Sequence, residues 1–166
     1  MNLRDNIPNL HELATDVQKL FDVINEAPFE IAVIVSGSYL DQIMGAILKK
    51  HFRDSSVTKK MLNSNRGILG SYAARSDLLY VLELTDKSTY TDLLTIGELR
   101  NLIAHHHLDI GTIHDQIKEK CNNLKHVESL GDTFKELMEN ASSAGRFAQT
   151  VAMLTSQLIV NHLQET

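Results

Sequence analysis

The chain has 166 residues, of which 43% are hydrophobic and 22% charged, and a formal net charge of −5. That is enough apolar material for one domain over residues 1–166, and the wrong overall sign for a protein whose affinity comes from neutralising many phosphates. The single cysteine, Cys121, excludes an intramolecular disulfide and suits a reducing compartment, so a cytoplasmic protein is expected. The N-terminus Met1-Asn2-Leu3-Arg4-Asp5 carries charge early, and no apolar run approaches the roughly 20 residues that cross a bilayer. Neither a signal peptide nor a membrane anchor is expected.

Leu10, Leu13, Val17, Leu20, Phe21 and Ile24 recur at steps of three and four, which predicts a first helix opened near Pro8. Pro28 then stands where a second helix begins, and Phe29 to Val35 followed by Leu40, Ile43, Met44, Ile47, Leu48 and Phe52 predicts a long, buried one. The β-branched run from Ile31 to Val35 tempts a strand assignment. Helical spacing continues past Gly37, however, and no other segment offers a strand partner, so the helix is preferred.

A polar stretch rich in Ser, Asn and Lys follows, and the helical pattern resumes over roughly 66 to 84, where Ala73 and Ala74 would permit close approach to neighbours. Ser88 or Thr89 can cap the next helix, whose stripe of Leu93, Ile96, Leu99, Leu102 and Ile103 faces inward. Gly111-Thr112 marks a stop and restart, with a shorter helix to about Asn122. Gly131-Asp132 opens another near Phe134 and Leu137, and Phe147, Val151, Leu154, Leu158 and Leu163 form a closing helix. The expected fold is all-α, a single-domain multi-helix bundle without repeats or dividing linkers.

Charge is unevenly distributed. Lys49, Lys50, Arg53, Lys59, Lys60 and Arg66 face only Asp54 across that segment, a local excess of positive charge in an acidic chain. It is the one stretch suited to an anion or nucleic acid. Its plainer reading is a solvated connector between helices, since aromatic partners for bases are sparse there.

Two blocks are more specific than periodicity: Gly67-Ile68-Leu69-Gly70-Ser71-Tyr72-Ala73-Ala74-Arg75-Ser76-Asp77-Leu78-Leu79-Tyr80, and Leu99-Arg100-Asn101-Leu102-Ile103-Ala104-His105. Together with Tyr90-Thr91-Asp92-Leu93, they resemble the mannitol-operon-repressor family, closely over 67–107 and loosely over 10–163. Ile103 stands where that family favours Phe, and Asp77 and Glu83 replace more usual apolar or small residues. The resemblance implies an all-helical negative regulator of sugar-alcohol uptake or a related operon, without a helix-turn-helix. The sequence agrees on that last point, because no pair of short helices joined by a tight turn presents a basic recognition face. Repression through a protein partner is therefore expected, with direct DNA contact through the basic stretch as an alternative.

Arg100, Asn101 and His105 also resemble the Arg-x4-His signature of HEPN domains, many of which are metal-independent ribonucleases acting as dimers. Asn101 and His105 lie one helical turn apart, with Arg100 on the adjoining face. In such chemistry His105 would take the 2′-hydroxyl proton, Arg100 would hold the charge developing on phosphorus, and Asn101 would orient the group. The plainer reading pairs Arg100 with Asp77 or Glu98, lets Asn101 satisfy backbone groups, and lets His105 cap its own helix.

His105-His106-His107 and His114 invite a zinc reading, but consecutive histidines on a helix point about 100° apart and cannot chelate one ion together, so no metal or cofactor is expected. Cys121 is expected to be a small buried hydrophobe because no activating partner can be named. Ser36-Gly37-Ser38 and Gly67 to Gly70 lack the strand and the Lys-Ser/Thr pair of a phosphate loop. Arg75, inside a small and apolar stretch, must find a carboxylate or a cluster of carbonyls; Asp77, Asp92 or a second subunit are the expected partners, or it joins Arg100 in a regulatory anion site. The sequence thus favours a homodimeric regulator over an enzyme, with the ribonuclease as runner-up.

Overall fold

A computed structural model describes residues 7–63, 65–106 and 108–163. Among the described residues it is all-α: α1 Leu10–Glu26, α2 Phe29–His51, α3 Ser56–Leu62, α4 Tyr72–Val81, α5 Lys87–His105, α6 His114–Asn122, α7 Asp132–Glu139 and α8 Ser143–Leu163. The helix α2 is the axis, packed against α1, α4, α5 and α8. Its Val33, Leu40, Ile43, Met44 and Ile47 meet Leu79 of α4, Leu93, Ile96 and Leu99 of α5, and Val151 and Leu154 of α8 in one continuous core. The β-branched run at its start is helical, as its spacing required. Contrary to the expectation from sequence, α2 is long and apolar enough to cross a bilayer, with a mean hydropathy of 1.6, and 61% of that stretch is buried within the fold.

Local chemistry sets the boundaries, and several differ from the sequence reading. α1 begins at Leu10, not at Pro8, because Asn9 and Glu12 form a reciprocal capping box: Glu12 N–H donates to Asn9 Oδ1 at 2.9 Å, and Asn9 N–H to Glu12 Oε2 at 3.1 Å. The polar connector contains a short helix, α3, capped by Ser55, whose Oγ accepts from Thr58 N–H at 3.1 Å. The helix expected over 66–84 begins only at Tyr72, capped by Ser71, because 67–70 is spent as a tight turn laid on α3. Asp86, two residues before the expected Ser88, caps α5 by accepting from Thr89 N–H at 2.7 Å.

At the end of α4 Leu84 N–H donates to Leu79 O and Glu83 N–H to Tyr80 O, a Schellman closure that puts Glu83 at φ 58°, where glycine would be unstrained. Close approach between α4 and α5 rests on Gly97 rather than Ala73 or Ala74, since a Cβ there would lie 2.8 Å from the Tyr72 ring.

Gly67 is more tightly constrained still. A Cβ at that position would stand 2.1 Å from Met61 O and 2.6 Å from Lys60 O, backbone atoms that cannot swing aside. Leu69 N–H then donates to Met61 O at 2.9 Å, fastening the turn to α3. Gly67→Ala is expected to lower stability by about 1–3 kcal/mol through overpacking, read from urea midpoints; a change below about 0.5 kcal/mol would contradict the tight seat.

Candidate functional site

A groove of about 1500 Å³ opens along α2. One wall is a polar stripe on α2, Ser38, Asp41, Gln42, Lys49 and Lys50, at the helical spacing that keeps them on one side. The facing wall is α3 with Thr58, Lys59 and Lys60, and the rim is closed by Ile7 to His11 and by His162 and Leu163 of α8. Arg75 and Arg100 reach it from α4 and α5. Thus Lys49, Lys50, Lys59, Lys60, Arg75 and Arg100 share a lining whose only acids among the described residues are Asp41 and Asp54.

The basic stretch read from sequence therefore divides. Lys49, Lys50, Lys59 and Lys60 line the groove, whereas Arg53 and Arg66 are exposed and lie outside it. Lys50 Nζ donates to His162 O at 2.5 Å and Lys49 Nζ to Ile7 O at 3.3 Å. Both acceptors are neutral carbonyls, so these contacts leave the positive charge uncompensated among the described residues. Lys59 is 3.5 Å from Asp54, an exposed pair that adds little to stability.

Arg75 is spent on structure. It is 2% exposed, and its guanidinium donates from Nε to Leu69 O at 2.9 Å, from Nη1 to Asp41 O at 3.0 Å and from Nη2 to Leu62 O at 2.8 Å. The expected acids Asp77 and Asp92 are not the ones used: Asp41 supplies the carboxylate, its Oδ1 3.0 Å from Nη1. Nη1 aims at the Asp41 carbonyl, so Oδ1, though in ionic contact, is buried without an aligned hydrogen bond. Burial pushes the Asp41 carboxyl above its ordinary 3.8, against the pull of Arg75 and then Arg100.

Asp92 is also structural. Fully buried, it accepts from Lys125 N–H at 3.0 Å and His126 N–H at 2.7 Å, fixing the turn after α6. Asp77 is exposed and accepts from Tyr90 OH at 2.9 Å.

Arg100 takes neither Asp77 nor Glu98. Glu98 pairs with Lys120 at 2.5 Å, while the Arg100 stem lies over α2 where Gly37 has no side chain; a Cβ there would be 2.7 Å from Arg100 Cδ. Among the described residues no hydrogen-bond acceptor meets its guanidinium. The Tyr72 hydroxyl nearby is buried without a partner, its acidity suppressed first by burial and then by Asp41, with Arg100 opposing.

The Arg-x4-His residues divide: Arg100 lines the groove and the other two do not. Asn101 and His105 are exposed on the last turns of α5 and do not line the groove that takes Arg100. The helix is closed by the next residue, not by His105: His106 is the C-cap, its Nδ1 3.0 Å from Leu102 O. His107 lies outside the described residues. Among the described residues no three His, Cys, Asp or Glu side chains gather for a metal ion. Cys121 is fully buried, which pushes its thiol up to about 11 and leaves little thiolate at neutral pH.

Sequence reasoning missed Asp41, Ser38, Gln42 and His162 as members of the site. The signal was available for the first three: polar residues at 38, 41 and 42 interrupt an otherwise apolar helix on one side only. Comparison of the chain with protein-family models, with curated proteins and with solved structures finds no match in any of the three.

The raised Asp41 carboxyl has a definite pH consequence. Between 3.8 and its higher folded value the native chain holds a proton that the unfolded chain has released, so Asp41 withdraws stability as pH rises through that window. Urea titrations of the parent and Asp41→Asn at several pH values should show the parent losing ground to the variant as pH rises above 3.8. A parent that gains on the variant would mean that the Arg75 and Arg100 charges outweigh burial.

Proposed function

We propose that this protein is a regulatory helical domain, a negative regulator of transcription that works through a protein partner and has no enzymatic activity of its own. This is the role implied by its resemblance to mannitol operon repressors. The observation that supports the reading is that the Arg100 stem lies over Gly37 and Arg100 lines a basic groove, whereas Asn101 and His105 are exposed and do not line it. A groove lined by cations, with no nucleophile held against a base, suits binding rather than bond-breaking.

Direct reading of DNA is less well supported. α3 and α4 are separated by residues 63–71 instead of a tight turn, and α4 turns Arg75 and Ser76 into the core while exposing Asp77. α4 therefore offers no basic recognition face, and Lys59 and Lys60 of α3 line the groove.

A second reading, a metal-independent ribonuclease assembled by two chains, draws on one feature: Asn101 and His105 are exposed one turn apart at the end of α5. A symmetry-related copy could bring a second imidazole to that surface, giving one base and one acid.

Both readings can be tested together. Deleting the gene should raise the transcript of a target operon, while the purified protein alone leaves the upstream duplex unshifted and single-stranded RNA intact in the absence of metal. Tight duplex binding would replace the partner model with direct repression. Metal-free RNA cleavage that His105→Ala abolishes would establish the ribonuclease instead.

A further inference from the structure

We infer that the groove along α2 is the docking site for an extended acidic segment of a protein partner. The inference rests on the regulator reading above and names the chemistry of the contact. Three properties of the groove lead to it.

The first is charge. Asp41 is engaged by Arg75, and Asp54 by Lys59. Lys49, Lys50, Lys60 and Arg100 are left without a carboxylate at ion-pair distance among the described residues, in a chain whose total charge is −5. Gathering cations on one face of an acidic protein has an electrostatic cost. An anionic occupant removes it, and the concave walls strengthen the attraction.

The second is shape. Ser38 and Lys50, both lining residues, are separated by twelve positions of a single helix, a span of roughly 18 Å. That length suits about five or six residues of extended peptide at roughly 3.3 Å each. The volume of about 1500 Å³ exceeds the roughly 300–1,000 Å³ typical of pockets that enclose one small molecule.

The third is composition. No Phe, Tyr or Trp lines the groove, so the aromatic platforms on which single-stranded nucleic acids stack are missing. What the lining does offer, besides cations, is hydrogen-bonding capacity suited to a peptide backbone in Ser38 and Gln42 on the α2 wall.

The test is fluorescence anisotropy of a fluorescein-labelled hexaglutamate peptide with the full chain, beside a labelled hexathymidylate. Lys49→Glu/Lys60→Glu reverses charge in the groove, and Arg53→Glu/Arg66→Glu reverses it outside; circular dichroism checks that each variant is folded. Hexaglutamate should bind in a salt-sensitive manner, about tenfold more weakly to the groove variant and unchanged with the outside variant. Equal loss in both variants, absence of binding, or stronger binding of hexathymidylate would overturn the proposal. A transcript assay in cells carrying each variant separates the two levels of inference. Normal repression by the groove variant sinks the docking site and leaves the regulator standing, whereas no transcript response even to gene deletion sinks the regulator.

Discussion

The buried guanidinium of Arg75 is the constraint on which the working face of this protein depends. A fully desolvated cation is tolerated only when its donors are satisfied, and Arg75 meets that requirement with three backbone carbonyls and one carboxylate drawn from different parts of the chain. Those carbonyls belong to Asp41 on α2, Leu62 at the end of α3 and Leu69 in the turn before α4. One planar fork therefore sets the separation of α2 and α3, the two walls of the groove. Lysine could supply the charge but not the three fixed donor directions.

The helix α2 carries a divided duty that follows from its length. Most of its circumference is core, which is why it passes for a membrane span by length and composition. The narrow stripe from Ser38 to Lys50 is polar, and it ends in Lys49, Lys50 and His51, where the negative end of the helix dipole favours cations. Arg100 reaches this stripe only because Gly37 leaves room for its stem. Two blocks far apart in sequence, one around Arg75 and one around Arg100, thus meet along the same helix.

Much of the fold was legible in the sequence. Periodicity located α1, α2, α5 and α8, because each buries a stripe at helical spacing, and glycines marked the restarts before α6 and α7. What periodicity could not show was where backbone groups would be satisfied. The turn at 67–70 belongs to no stripe, so it was absorbed into α4; the seven residues of α3 are too few and too polar to show a pattern. The cap of α5 was misplaced because Asp86, Ser88 and Thr89 can all cap and only geometry selects one. The site was half legible. Local charge density marked Lys49, Lys50, Lys59 and Lys60, but it could not separate them from Arg53 and Arg66, which differ only in the direction they face. Arg75 was recognised as needing a partner, yet the nearest acids in sequence were the wrong ones, since Asp41 is brought to it by packing of α2 against α4. Arg146 gave no warning, although it too is buried, donating to Leu124 O and Met138 O and pairing with Glu128.

The most direct test of this account is native-state hydrogen exchange on Arg75→Lys beside the parent chain. If the guanidinium holds α3 and the 67–70 turn in place, amides from 56 to 70 should exchange faster in the variant while α1, α5 and α8 keep their protection. Unchanged exchange over 56–70, or a uniform loss of protection throughout the chain, would contradict the claim that Arg75 positions the groove.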